Sequence, residues 1–314
     1  MLSILIPTFN RGEFLQRNLL ILNDIIQKAG CVDSVNIIIS NNCSTDDTGE
    51  MIKTFKENHP LEIILFDQDQ NKGPLFNVLF VLSKSTSEYI MYLGDDDYIS
   101  YEYFMECISI INNDKNTYVI IPNYFPVSVD DEILGPPRDK MEPTIVFKPG
   151  FATTLKNSYR GHQLSGLVLK RDGLLDVYSK NGVNNLYMYI YFIGIWSLKG
   201  NIYRVSSLPV RVTQPVKKKD WGYGDDGLIN DVFDNYKKLP VSYFQRYLLE
   251  ADFFVKQNWR LLMYKKLGLK QFFKAYRKVS SSTNATFLFS ATLPVLVTAG
   301  VIKNNFKKLK NSEF

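Results

Sequence analysis

Over the first hundred residues, short apolar runs alternate with amphipathic stretches and polar loops, and this beat leaves few folds open. Parallel strands must be joined by crossovers, and a helix packed on the sheet is the usual one. Strand and helix in succession therefore predict an α/β domain with a largely parallel sheet. Strands are expected at residues 3–7, 35–39, 62–66 and 89–93, and helices at 12–29, 48–58 and 76–83. Further strands are predicted at 118–121, 163–169 and 201–205, with a Pro-rich irregular stretch at 122–149 and a helix at 185–198. An aromatic-rich stretch, 243–277, reads as helical and too poor in strand character to extend the sheet.

The composition fits a globular chain with a sizeable core: 314 residues, 45% hydrophobic and 22% charged. A net charge of +5 is too small to call for nucleic acid as a partner. Cys31, Cys43 and Cys107 match neither a metal knuckle nor a disulfide framework, which points to a reducing compartment. Met1 to Ile6 already reads as a strand and not as a secretory leader, so a cytoplasmic location is expected. The apolar run 287–302, broken by Pro294 and Gly300 and followed by lysines, is shorter than the roughly twenty residues a spanning helix needs. Two readings compete for it: an interfacial anchor on the cytoplasmic face of the membrane, or a helix packed in the core or an oligomer interface.

Four polar segments stand where strands should end, the edge at which open α/β sheets bind ligands. The strongest is Asp95-Asp96-Asp97, three acids after an apolar strand. Like charges this close call for a neutralising partner, and a divalent cation such as Mg²⁺ or Mn²⁺ takes one or two carboxylates plus substrate phosphates. In that arrangement Asp95 hydrogen-bonds a ribose hydroxyl and Asp97 faces the metal, whereas an acidic turn capping the helix at 101–111 is the plain alternative. The second segment is Pro7-Thr8-Phe9-Asn10-Arg11, the third Asn41-Asn42-Cys43-Ser44-Thr45-Asp46, and the fourth Asn71-Lys72-Gly73-Pro74 with Asn77 beyond. Each by itself could be helix-capping chemistry.

In this order and spacing the four segments resemble family 2 glycosyltransferases, which have a GT-A, Rossmann-like fold with a mixed, mainly parallel sheet. The resemblance covers roughly the first hundred residues. It implies a nucleotide-sugar pocket lined by Pro7, Thr8, Asn10, Arg11, Asn41, Asn71, Gly73, Asn77, Asp95 and Asp96, and a metal at Asp97 and Asp95. It further implies an inverting transfer to a glycan or lipid-linked acceptor. The third and fourth segments are similar to the abequosyltransferase branch of surface-polysaccharide enzymes, O-antigen and capsule among their products. The expected organisation is a catalytic domain at 1–212, with a nucleotide-sugar half at 1–100 and an acceptor half at 101–212. A flexible active-site loop and linker at 213–240 and a helical region at 241–314 would follow.

Two departures bear on chemistry. The family's Asp-Asp-Gly-Ser or Asp-Asn-Ala-Ser loop is here Asn41-Asn42-Cys43-Ser44. An amide offers an acceptor to uracil or a donor to cytosine, so a UDP-sugar is favoured by family habit with a CDP-sugar left open. The acidic pair that usually supplies a base is replaced by Asn184-Asn185-Leu186-Tyr187, so the base falls to Asp176, His162, Asp225 or Asp226. The last two lie in a loop with Trp221 and Tyr223 for sugar stacking and Lys217 to Lys219 upstream. A sugar-phosphate nucleotidyltransferase and a catalytically inactive carbohydrate-binding protein are the alternative readings.

Overall fold

The computed structural model describes residues 1–214 and 228–311. In chain order it builds β1 (Leu2–Thr8), α1 (Gly12–Lys28), β2 (Val35–Asn41), α2 (Thr48–Asn58), β3 (Ile63–Asp67), α3 (Gly73–Lys84) and β4 (Tyr89–Tyr92). Next come α4 (Tyr101–Asn113), β5 (Thr117–Val127), β6 (Ile145–Phe147), α5 (Phe151–Asn157), β7 (Val168–Lys170), α6 (Leu174–Lys180), α7 (Met188–Trp196) and β8 (Asn201–Thr213). The chain closes with α8 (Leu228–Lys237), α9 (Tyr243–Lys256), α10 (Trp259–Lys266), α11 (Leu269–Ser280) and α12 (Phe287–Asn311).

All eight strands form one sheet in the order β3-β2-β1-β4-β7-β5-β8-β6. Strands β3, β2, β1 and β4 run parallel, β7 is antiparallel to both β4 and β5, and β8 returns parallel to β5. This is the mixed, mainly parallel α/β sheet expected. Strand β1 is apolar on both faces because both are covered. Ile4 and Ile6 share a buried core cluster with Leu15, Leu19 and Phe104, while α3 buries Val78, Val81 and Leu82.

By its internal contacts the chain forms two units: one, residues 1–149, 163–180 and 199–217, holds the sheet, and the other, residues 150–162, 181–198 and 218–314, is helical over most of its described residues. The sheet unit thus omits two segments of the expected 1–212 domain. In the helical unit, α7 is buried along its whole length, as its uniformly apolar sequence Met-Tyr-Ile-Tyr-Phe-Ile-Gly-Ile-Trp requires. Phe233, Phe254 and Phe289 pack edge to face, with ring centroids 4.7 and 5.6 Å apart. Glu250 is fully buried, and its carboxylate ties α9 to the start of α12 by accepting from Arg246 at 2.8 Å and from the Thr286 backbone N–H and hydroxyl at 2.9 and 2.6 Å.

Several boundaries differ from expectation. Strand β5 runs on through Pro122 to Val127, and β6 lies inside the stretch expected to be irregular. Prolines fit there because β5 carries register shifts, one of them between Pro122 and Tyr124. Residues 163–167 are not strand, and only Val168–Lys170 pair. Residues 228–237, expected in a flexible linker, form α8. The stretch 243–277, expected to be helical, is so as three helices, broken at Gln257-Asn258 and at Gly268, whose φ of +116° suits glycine. The run 287–302 is helical and buries Phe289 and Leu293 while leaving Phe287 and Val295 exposed.

Candidate active site

The three aspartates follow β4 and are pinned from several sides. Tyr98 exchanges backbone hydrogen bonds with Arg211 of β8, at 2.9 and 2.8 Å. Asn18 of α1 donates to the Gly94 carbonyl at 2.9 Å, and the Gly94 N–H donates to Ser165 Oγ at 2.9 Å. A Cβ on Gly94 would lie 2.8 Å from Asp97 Oδ2 and 3.2 Å from Ser165 Oγ, so this position has no room for a side chain.

Each aspartate has its own surroundings. Asp95 accepts from the Thr8 hydroxyl at 2.8 Å. Asp96 pairs with Arg11 at 3.4 Å. Asp97 is 6% exposed and accepts from the Thr213 N–H at 2.8 Å, from the Ser165 hydroxyl and, at 3.5 Å, from Gln163. Burial first, and then the charge of Asp96, pushes both Asp95 and Asp97 up to about 7. Two carboxyls held this close to neutrality suit exchange of a proton for a cation, and hydrogen bonds that orient a carboxylate leave it lone pairs for a metal. Among the described residues no three His, Cys, Asp or Glu side chains are grouped to enclose an ion by themselves. The donor set fits a cation that borrows its remaining ligands from a substrate's phosphates.

The other three loops gather on the same edge. Asn10, at φ 53°, accepts from the Thr45 N–H at 2.8 Å, and its own N–H donates to Ser44 Oγ at 2.9 Å, lacing the β1–α1 turn to the β2–α2 turn. Asn42 donates to Asn71 at 2.9 Å and accepts from the Lys72 N–H at 3.1 Å, which ties in the turn before Gly73. Gly73 has φ +83°, a conformation that glycine takes without strain. Asn77 is buried and donates to the carbonyls of Thr8 and Ser40, at 3.3 and 3.0 Å, so it holds the strand ends in place. Pro7 is the penultimate residue of β1, directly before Thr8.

Asn41 has both ends of its amide engaged. Its nitrogen donates to Asp67 at 2.9 Å, and its oxygen accepts from the N–H and hydroxyl of Ser44. Asp67 ends β3, lies 3.6 Å from Lys53 and lines a cavity of about 470 Å³ with Asn41, Ser44, Asp46 and Gln68. Sequence reasoning passed over Asp67, Ser165 and Thr213. Asp67 was visible as an acid at a strand end, whereas the other two are brought in by β7 and β8 pairing and have no local signal.

The candidate bases separate. Asp176 is exposed on α6, which follows Lys170, the partner of Tyr89 at the start of β4, so it stands at the opposite end of that strand from the aspartates. His162 belongs to the helical unit and has Nδ1 2.8 Å from the Tyr159 carbonyl. Asp225 and Asp226 lie outside the described residues, as do Lys217 to Lys219, Trp221 and Tyr223. Asn185 faces Asn235 at 2.9 Å in a buried amide pair.

Residues 3–167 match the family model for glycosyl transferase family 2, more than half of the chain. The chain belongs to glycosyl transferase family 2. Among its relatives, the abequosyltransferase RfbV of Salmonella typhimurium is 36% identical over 97 residues, 31% of this chain and 28% of the relative. The match therefore spans under a third of that enzyme. The S. aureus TarS 1-349 structure in complex with UDP-GlcNAc superposes with a TM-score of 0.67 at 14% identity, covering 99% of this chain and 91% of that one. The mannosyltransferase PcManGT from Pyrobaculum calidifontis, in complex with GDP-Man and Mn2+, gives a TM-score of 0.54 at 14% identity, covering 98% and 87%. These two share with the family 2 chain the GT-A fold.

Proposed function

We propose that this family 2 chain transfers a sugar from a nucleotide-sugar donor, with inversion, to a glycan acceptor such as a lipid-linked intermediate of surface-polysaccharide assembly at the cytoplasmic face of the membrane. The observation that carries the reading is the convergence of Thr8, Arg11, Asp95, Asp96 and Asp97 at one sheet edge, with two carboxyls buried and pushed toward neutrality. The names of the relatives, which include an abequosyltransferase and two structures holding a nucleotide sugar, support it. Asp97 and Asp95 would hold Mn²⁺ or Mg²⁺, which when bound supplies positive charge against the leaving diphosphate. Arg11 adds a cation beside Asp96, and Thr8 with Asp95 orients the ribose.

A uridine nucleotide is favoured by Asp67. The Asn41 amide is engaged at both ends, its oxygen by Ser44 and its nitrogen by Asp67 itself, so the cavity's base-reading acceptor is the Asp67 carboxylate, which pairs with the imide N–H of uracil and opposes the bare ring nitrogen of cytosine. Asp67→Asn is expected to weaken UDP binding about tenfold, as for a lost hydrogen bond to a charged group, and to narrow the preference over CDP. Unchanged affinities for both would remove Asp67 from base reading.

Incubation with UDP-sugars and Mn²⁺ tests the activity, since slow donor hydrolysis reports turnover without the true acceptor. Release of pyrophosphate from a nucleoside triphosphate and a sugar phosphate would instead indicate a nucleotidyltransferase. Asp176→Asn should hydrolyse donor at the wild-type rate.

A further inference from the structure

Between residues 253 and 312 the chain has twelve Lys and Arg and no Asp or Glu. The remaining 25 Lys and Arg face all 32 Asp and Glu, so the rest of the chain carries −7. The fold concentrates this asymmetry at the corner where α10 passes into α11. Residues 265–271, Lys-Lys-Leu-Gly-Leu-Lys-Gln, are exposed without interruption. Leu267 and Leu269 are 66% and 67% exposed, and Phe273, one turn into α11, is 59% exposed. On the other side of α11, Ala275 and Val279 are buried, so the packed face and the outward apolar face are distinct. Trp259 and Met263 extend the outward apolar surface along α10.

A solvated helix corner gains nothing from three large apolar side chains, and a protein partner with an apolar groove would not require a whole segment free of acids. Apolar tips surrounded by lysine suit an anionic bilayer, where the tips enter the acyl boundary and each ammonium stays at the phosphates. No helix among the described residues is long and apolar enough to cross a membrane. We propose that the α10–α11 corner is a docking surface for anionic lipid, with Leu267, Leu269 and Phe273 entering the bilayer and Lys265, Lys266 and Lys270 engaging headgroups. This deepens the lipid-linked-acceptor reading and supplies the contact that reading needs. The corner is distinct from the run 287–302, where α12 packs Phe289 and Leu293 and exposes Phe287 and Val295.

The experiment is co-sedimentation of the full chain with vesicles of phosphatidylcholine alone and with 30% phosphatidylglycerol, beside UDP titration of the same samples. Binding is expected to the anionic vesicles only and to weaken in 0.5 M salt. It should fall at least tenfold both in Leu267→Ser/Leu269→Ser and in Lys265→Glu/Lys266→Glu/Lys270→Glu, with UDP affinity and melting temperature at wild-type values. The inference is overturned if wild type stays in the supernatant with both vesicles, or if either variant sediments like wild type. It is equally overturned if the serine variant instead disrupts a dimer, or if duplex RNA is bound equally by wild type and the serine variant. A chain that binds vesicles but no nucleotide would refute the enzyme reading and leave the docking surface standing.

Discussion

At the residue scale, Cys43 shows how a departure from family pattern becomes a measurable cost. It stands where the family resemblance would put glycine or alanine, and its φ of 61° is one that L side chains adopt at a penalty of about 1–2 kcal/mol. Cys43→Gly should therefore raise unfolding free energy by about 1 kcal/mol after glycine's greater chain entropy is set against the relief. Urea denaturation checks the sign. Asp95 and Asp97 give a second residue-scale expectation. Their folded values of about 7 lie above the ordinary 3.8, so the folded state holds protons that the unfolded chain releases between those limits. Without metal, these two groups make stability fall as pH rises through that window. Mn²⁺ replaces the protons, so it should raise the melting temperature by several degrees at pH 8 and by much less at pH 5.5. Equal shifts at both pH values would contradict this coupling. The Asp95-Asp96-Asp97 run was legible in the sequence because it stands beside a strand. Its supports, Ser165 and Thr213, are 68 and 116 positions from Asp97 and reach it only through strand pairing.

At the scale of elements, the polar loops could be read because each closes a short apolar strand, and the structure lays four of them on one edge. Asn10 to Thr45 and Asn42 to Asn71 show why asparagine recurs there. A side chain with a donor and an acceptor can lace two turns at once. What pattern reasoning missed was where elements stop. β5 passes through two prolines, with register shifts against its partner β8, and the helical stretch 243–277 is divided at Gln257-Asn258 and Gly268 into helices whose ends the helical pattern alone did not mark. The α9–α12 junction is held by Glu250, a buried carboxylate satisfied by Arg246 and Thr286. Glu250→Ala strands the guanidinium and should cost about 3–5 kcal/mol, read as a lower urea midpoint, while a surface ion pair such as Lys53–Asp67 would cost under about 1 kcal/mol.

For the whole molecule, the order β3-β2-β1-β4 and the antiparallel β7 follow from connections that a pattern of strands and helices cannot specify by itself, since strand order depends on which crossovers pack best. The α/β class was legible, and so was a helical C-terminal region. The assignment of residues 150–162 and 181–198 to the helical unit was not, because α5 and α7 are separated in sequence by β7 and α6. At this scale the proposed function depends on one act, in which the aspartates after β4 would hold a cation against a donor's diphosphate. Calorimetric titration of UDP into the full chain, with Mn²⁺ and with EDTA, measures it directly. Tight binding with Mn²⁺, weaker by about 10²-fold in EDTA, and loss of that difference in Asp97→Asn is the predicted result. UDP affinity indifferent to both the metal and Asp97 would contradict the account.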